Sequence, residues 1–111
     1  MAGEPSHFEL GVPDAARAKV FYGELFEWSF HTTRGENAWI ETSGVRGGLH
    51  DNDEACTVIV YFSVPDIDVA VRRVRELGGT ADEPGPPGPS GRFTSCRDDQ
   101  GVAFGLHQAG I

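Results

Sequence analysis

An internal repeat is the feature of this sequence that most constrains its fold. The tripeptide Val12-Pro13-Asp14 recurs as Val64-Pro65-Asp66, an offset of 52 residues (64 − 12). A second echo pairs Gly48-Leu49-His50 with Gly105-Leu106-His107 at an offset of 57 (105 − 48). Repetition on this scale is typical of a duplicated supersecondary unit, so the chain is predicted to contain two modules of roughly 50 residues each.

The two modules are expected to share one domain. With 111 residues in total, neither half alone would bury enough apolar surface to offset the entropy of its chain. We therefore predict a single domain over residues 1–111, with module one at about 6–50, an acidic linker at 51–56 and module two at about 57–108.

Each module reads as a strand, a helix and further strands. Phe8, Leu10 and Val12 alternate with polar or small residues, which is the period of a half-buried strand, and the alternation returns near Val60. An aspartate follows each Val-Pro pair and is suited to cap a helix that begins there. The apolar stripes predicted for the two helices are Ala15, Ala18, Tyr22 and Leu25, and Ile67, Ala70 or Val71, Val74 and Leu77.

The remaining strands are shorter. They are predicted at about Glu27–Thr32, Ala38–Thr42, Gly47–His50, Thr80–Ala81, Arg92–Arg97 and Val102–His107. Gly78-Gly79 is expected to end the second helix. The acidic run 51–54 is interpreted as a solvated connector, and the Pro- and Gly-rich segment 83–91 as a loop that either crosses the surface or covers a pocket.

Composition excludes some partners. The chain has 9 Lys and Arg against 17 Asp and Glu, a net charge of −8, and phosphate-backbone binding depends on cationic side chains. No apolar stretch approaches membrane-spanning length, and the N-terminus lacks the pattern of a signal peptide. Cys56 and Cys96 have no zinc-type spacing and are read as thiols of a reducing compartment. We therefore expect a cytoplasmic protein that binds neither nucleic acid nor membrane.

The motifs in their order resemble a known superfamily. They are His7-Phe8-Glu9-Leu10 at the first strand, the run from Ala18 to Trp28 along and after the first helix, Gly91-Arg92-Phe93, and the run from Asp98 to Leu106. Together they resemble the vicinal oxygen chelate superfamily, which contains glyoxalases, bleomycin-resistance proteins and extradiol dioxygenases. The likeness extends from about Ser6 to Gln108, with Asp99 where the family's turn usually has a proline.

The resemblance implies an α+β fold of two tandem βαβββ modules whose sheet forms a cup, often in a homodimer. Metal-dependent members carry one ligand on the first and one on the last strand of each module. These positions correspond to His7, to or near Gly48, to Ile59 and to Gly105. Only His7 has a donor side chain, whereas a catalytic divalent site usually needs about three protein ligands. We predict no cofactor and no metal at the usual centre.

A displaced metal site is the alternative. His50 and His107 end equivalent strands, two residues beyond the lost ligand positions, and could join His7 and Glu9. Two residues along a strand span roughly 7 Å, which would move the ion toward the rim. The other reading is that both are half-exposed residues at strand ends. A divalent metal thus stays open as a weaker hypothesis, with His7, His50 and His107 as its candidates.

Without metal, the cup would still offer polar and aromatic side chains. The predicted ligand-binding residues are His7, Glu9, Trp39, Glu41, Tyr61, Arg92 and His107. Such a lining suits a small, partly flat organic molecule. Arg92 would orient an anionic group or else pair with a surface acid. Trp28, directly after the helix, is expected to pack.

Two classes of function follow. One is a metal-independent binder of a small aromatic or partly apolar molecule, like the drug-sequestering members of the family. The other is an enzyme, either a glyoxalase-type lyase or isomerase, or a metal-free catalyst with Glu9 or His7 as general base. The candidate catalytic residues are thus His7 and Glu9, with a structural hydrogen bond between them as the alternative.

Overall fold

The computed structural model describes residues 3–110, which form two compact units. The N-terminal unit is His7–Ile59. The C-terminal unit takes the described residues through Ser6 together with those from Val60 onward. No helix of the described chain is long and apolar enough to cross a membrane.

The N-terminal unit has the predicted strand-helix-three-strand order. It contains β1 (Pro5–Gly11, whose first two residues belong to the other unit), α1 (Ala15–Phe26), β2 (Ser29–Thr32), β3 (Ala38–Glu41) and β4 (Gly47–His50). The strands lie in the order β2-β3-β4-β1, with β4 parallel to β1 and antiparallel to β3. The first and last strands of the module are therefore neighbours.

The C-terminal unit repeats this arrangement. It contains β5 (Val58–Ser63, whose first two residues belong to the other unit), α2 (Ile67–Glu76), β6 (Thr80–Ala81), β7 (Arg92–Arg97) and β8 (Ala103–Gln108). The order is β5-β8-β7-β6, and β8 is parallel to β5. The prediction of two βαβββ modules in an α+β fold is confirmed, and the residues between Ala81 and Arg92 form the predicted loop.

Both helix starts have the predicted caps. The Asp14 carboxylate accepts from the Arg17 backbone N–H at 3.1 Å, and Asp66 caps α2 in the same way. The end of α2 is a Schellman-type turn, in which Gly78 has φ +97° and the Gly79 N–H donates to the Val74 carbonyl. These side chains and glycines satisfy backbone groups that a helix end leaves without partners.

The acidic connector, which the sequence predicts to be solvated, also makes hydrogen bonds to residues near the start of α1. The Asp51 carboxylate accepts from the Ala15 backbone N–H at 2.8 Å, so it caps α1 from outside the helix. The Asp53 backbone N–H donates to the Val12 carbonyl at 2.9 Å. These bonds join residues that are distant in sequence, so a local sequence pattern does not reveal them.

Each unit has its own core between helix and sheet. The first consists of Leu10, Ala15, Ala18, Ala38, Ile40 and Leu49, and the second of Ile67, Val71, Cys96 and Leu106. In contrast to the predicted stripes, Leu25 and Leu77 are 57% and 60% exposed. Leu77 lies one residue beyond α2, where helical periodicity no longer directs its side chain. Near Leu25, the rings of Tyr22 and Trp28, stacked at 5.4 Å, cover the core instead.

Candidate functional site

One row of residues crosses the N-terminal unit on the side that faces away from α1. The paired residues are His31 with Trp39, Trp39 with Gly48, and Gly48 with Glu9. Directly paired residues point to the same side of a sheet, and the alternate positions, such as Ile40, are buried against α1. Strand register therefore brings together Trp39 and Glu9, which are 30 residues apart (39 − 9).

Two histidines hold the carboxylate of Glu9. The His7 imidazole donates from Nε2 to Glu9 Oε2 at 2.5 Å, and His50 donates from Nε2 to Glu9 Oε1. The Glu9 side chain is 22% exposed and lies over Gly48, where a Cβ would overlap the carboxylate. Gly48 thus leaves the space in which Glu9 reaches both imidazoles.

This environment makes Glu9 more acidic. Burial opposes ionisation of the carboxyl, but the hydrogen bonds from His7 and His50, together with their positive charge when protonated, outweigh it and lower the pKa of Glu9 below 4.5. A general base works best with a pKa near the working pH. The hydrogen-bonded arrangement therefore makes Glu9 a weak base, while its geometry favours a fixed, charged acceptor.

The ring of Trp39 is contacted by a side chain of β2 and by the residue that precedes β4. The His31 ring stacks on it with centroids 3.9 Å apart, and the Arg46 Cζ lies 4.2 Å from the indole centroid. His31 also donates from Nε2 to Glu41 Oε1 at 2.8 Å. Trp39 is one of the predicted ligand-binding residues. The structure places two of the protein's own side chains against the indole.

A shallow cavity of about 310 Å³ opens beside this cluster. Its lining consists of Trp39, Glu41, Thr42, Gly44 and Arg46. The Thr42 hydroxyl accepts from the Gly44 N–H and donates to the Val45 carbonyl, which fixes the turn before β4. Of the predicted ligand-binding residues, Trp39 and Glu41 therefore line one cavity.

Tyr61 and His107 lie in the C-terminal unit, in a second aromatic cluster. Tyr61 pairs with Gly105, and its ring lies where a Cβ of residue 105 would be. The Phe93 ring meets Tyr61 edge-on at 5.6 Å and stacks on His107 at 4.4 Å. His107 donates from Nε2 to the Ser90 carbonyl and accepts at Nδ1 from the Ser6 hydroxyl, both at 3.0 Å. Both ring nitrogens are thus used in hydrogen bonds.

Arg92 does not face the same side of its sheet as Tyr61, contrary to the prediction. It lies on the helix-facing side of β7, where its Nη1 donates to Asp68 at 2.9 Å and its Nε to the Gly85 carbonyl at 2.9 Å. The hydrogen bond from Arg92 is the main cause that lowers the pKa of Asp68. The position was misjudged because Arg92 shares the side of Thr94 and Cys96, which are buried.

The donor residues do not fit the metal centre that the resemblance implies. Of its four positions, Gly48, Ile59 and Gly105 have no donor, and Glu9 and Tyr61 fill the space above the two glycines. Within residues 3–110, no group of three or more His, Cys, Asp or Glu is arranged to hold a metal ion. His7 and His50 direct their Nε2 atoms at Glu9.

Two residues of this site were missed by the sequence analysis. His31 and Arg46 contact Trp39, yet neither belongs to a motif. A signal for Arg46 was present, because it precedes Gly48 by two residues and so shares its side of the chain. His31 could be found only from the register between β2 and β3.

The chain belongs to the glyoxalase/bleomycin resistance protein/dioxygenase superfamily, whose family model matches residues 5–106. This confirms the resemblance. No curated protein sequence matches the chain.

Several solved structures share the fold. A hypothetical protein from Bacillus halodurans C-125 is 14% identical with a TM-score of 0.75, over 98% of this chain and 96% of that one. Methylmalonyl-CoA epimerase from Mycobacterium tuberculosis is 18% identical with a TM-score of 0.73, over 98% and 89%. An extradiol ring-cleaving dioxygenase from B. fuscum is 17% identical with a TM-score of 0.77, over 99% of this chain and 34% of that one. Identities this low establish the fold alone.

Proposed function

We propose that the protein binds a small aromatic or partly apolar organic molecule without the family's usual metal. The observation that carries this proposal is the cavity of about 310 Å³ beside Trp39. Its volume lies near the lower end of the range for small-molecule sites, which runs from about 300 to 1,000 Å³. The indole of Trp39 supplies a rigid apolar part of the lining, and the polar groups of His31 and Arg46 lie next to it.

The donor set supports the metal-free part of the proposal. Glu9 and His7 are hydrogen-bonded to each other, and the glycines at two family ligand positions supply no donor. Tyr61 and His107 remain candidate ligand residues through their aromatic cluster. We also propose that the protein is a homodimer, because the family resemblance implies one. A cytoplasmic location is proposed because both thiols are free.

An enzyme is the second candidate. The His7–Glu9–His50 cluster favours it, because imidazoles oriented by a carboxylate are common in acid-base sites. The alternative enzyme is a glyoxalase-type lyase or isomerase, and one solved structure with the same fold is an epimerase, which belongs to the isomerase class. Against Glu9 itself as the base stands its lowered pKa.

A fragment screen by NMR tests the primary proposal. The chain has two tryptophans, so two indole N–H signals report on Trp28 and Trp39 and can be assigned with Trp28→Phe. Aromatic fragments should shift the Trp39 signal and leave that of Trp28, which packs against Phe8 and Tyr22 at 5.5 and 5.4 Å. Affinity should be the same with and without chelator.

Two results would contradict the proposal. One is a broad aromatic library that shifts neither indole signal. The other is binding that chelator abolishes and that nickel, zinc, iron or manganese restores, which would support the metal-dependent enzyme. Trp39→Ala should weaken binding with little change in the fold, since the ring lies outside the core cluster.

A further inference from the structure

The cavity beside Trp39 contains one positive and one negative side chain. Glu41 and Arg46 both line it, yet they are not within 4 Å of each other as an ion pair. Glu41 follows Trp39 by two residues on β3, and Arg46 precedes Gly48 by two residues, so both point to the side that faces away from α1. Opposite charges that share a cavity without pairing can each bind a group of a ligand.

Among the basic residues that the structure describes, Arg46 is distinguished by its position over an aromatic ring. Some arginines of the C-terminal unit pair with carboxylates, as Arg92 does with Asp68 and Arg75 with Glu83, whereas Arg97 donates to the Gly101 carbonyl. Within the described residues, Arg46 has no carboxylate within 4 Å and lies over Trp39. A guanidinium that stacks on an aromatic ring keeps its N–H groups in the plane, where they can bind a carboxylate through two hydrogen bonds.

Glu41 retains an acceptor for a ligand. Its Oε1 accepts from His31, whereas its Oε2 accepts no hydrogen bond from any other described residue. His31 also stacks on Trp39, so the carboxylate is held next to the indole. A hydroxyl or amine of a ligand can donate to Oε2 at low cost, since the carboxylate is already positioned.

We propose that this cavity selects a small aromatic carboxylate that also carries a hydrogen-bond donor. Arg46 binds the ligand's carboxylate, Glu41 accepts from its hydroxyl or amine, and Trp39 forms the wall between them. This inference rests on the proposed function, because it names the ligand chemistry of the same cavity. The net charge of −8 makes the role of Arg46 more specific. A protein with this charge repels anions in general, so an anionic ligand needs a positive side chain at its binding site.

The test uses matched ligands and matched variants. The three isomeric hydroxybenzoates are titrated against the full chain while the Trp39 indole signal is followed. The tightest isomer is then compared with its amide, which lacks the negative charge, and with its methyl ether, which lacks the donor. Each change should weaken binding to the wild type by roughly tenfold or more, the range expected for a hydrogen bond with a charged partner.

Protein variants connect each loss to its residue. Arg46→Gln should bind the carboxylate and the amide with equal affinity, and Glu41→Ala should no longer distinguish the phenol from its ether. Arg46→Lys keeps the charge without the planar fork and should recover part of the preference. Arg73→Gln is the control for a lost positive charge, because the Arg73 side chain is exposed on α2 and pairs with Glu76.

Equal affinity of the acid and its amide for the wild type would overturn the inference and leave the proposed function standing. A carboxylate preference that survives in Arg46→Gln, with a folded spectrum, would overturn it as well. If no hydroxybenzoate shifts Trp39, the inference fails, and the proposed function fails with it only when the broader fragment library also gives no shift.

Discussion

The two units share one backbone arrangement but differ in the side chains that it positions. In the N-terminal unit, Glu9 on β1 lies over Gly48 on the parallel strand β4. In the C-terminal unit, Tyr61, which is 52 residues further along, lies over Gly105 on the parallel strand β8. Each glycine leaves room for the side chain of its strand partner.

The chemistry on the two strand pairs is not the same. The carboxylate of Glu9 is bound by two imidazoles, whereas the Tyr61 ring meets Phe93, which in turn stacks on His107. The two units therefore share the glycines that allow close strand packing and differ in the side chains that lie over them. Function in such a fold depends on those side chains and not on the shared architecture.

The largest expected effect tests whether the two cores are equivalent. Ile40 and Ile67 are each 0% exposed, one in each unit. Ile40→Ala and Ile67→Ala should each lower the free energy of unfolding by about 2–5 kcal/mol, because each leaves a cavity in a packed core. Leu77→Ala is the matched control and should cost less than about 1 kcal/mol, since its side chain is mostly exposed. Urea denaturation measures all three; a loss at Leu77 as large as at Ile67 would contradict the assignment of the second core.

The two glycines should respond differently to an added methyl group. In Gly105→Ala, the Cβ would overlap the inner atoms of the Tyr61 ring, which move little, and we expect a loss of about 1–3 kcal/mol. In Gly48→Ala, the overlap is with the terminal carboxylate of Glu9, which rotation of the side chain can move aside at the expense of its hydrogen bonds to His7 and His50, so we expect a smaller loss of about 1 kcal/mol. In Gly48→Ala, we expect the Glu9 carboxylate to be displaced. This would change the ring signals of His7 and His50 in NMR spectra. Equal losses at the two sites would remove the contrast between the units.

Acid should weaken the stabilisation supplied by the Glu9 cluster. The folded pKa of Glu9 lies below 4.5, so its ionised form adds stability above that pH, and this contribution is lost as the pH falls through the folded pKa. Glu9→Gln should therefore be less stable than the wild type at pH 6, with the gap closing well below pH 4.5. Unfolding measured from pH 3 to 7 gives the difference in stability between the variant and the wild type. Glu24→Gln, at an exposed position of α1, controls for the lost charge. A gap that stays constant with pH would contradict the lowered pKa.

The smallest expected effect concerns the cysteines, one in each unit. Burial raises the pKa of Cys96 to about 11, whereas Cys56 is exposed. At pH 8 only about one Cys96 side chain in a thousand would be a thiolate, which is the reactive form. A thiol reagent should modify Cys56 rapidly and Cys96 only after unfolding. The variants Cys56→Ser and Cys96→Ser identify the two phases, and rapid labelling of Cys96 in the folded protein would contradict its burial.

Local sequence patterns predicted the elements well. The starts of both helices at Asp14 and Asp66, the strand Gly47–His50 and the strand Arg92–Arg97 agree with the structure. Helix caps and the alternation of side chains in strands depend on residues close in sequence, and the repeat depends on residue identity. All three can therefore be recognised from the sequence. The errors at Leu25 and Leu77 occurred at helix ends, where packing and not periodicity decides burial.

The site was predicted only in part. Because side chains alternate between the two sides of a strand, the sequence placed Glu9 on the same side of β1 as His7. The same rule placed Trp39 and Glu41 on one side of β3. It failed for Arg92, whose side was set by the buried residues that follow it on β7. His31 and Arg46 escaped notice because their contacts with Trp39 depend on which strands are neighbours.

The sequence by itself determined the repeated βαβββ arrangement, the family and the absence of donor side chains at three of the four positions that the resemblance assigns to metal ligands. Those conclusions need only residue identity, spacing and local periodicity. The tertiary structure alone decided that Glu9 is bound by both His7 and His50, and that Arg46 covers Trp39 without a carboxylate partner. Such contacts follow from strand register, which joins residues far apart in sequence and is fixed only when the hydrophobic faces pack together.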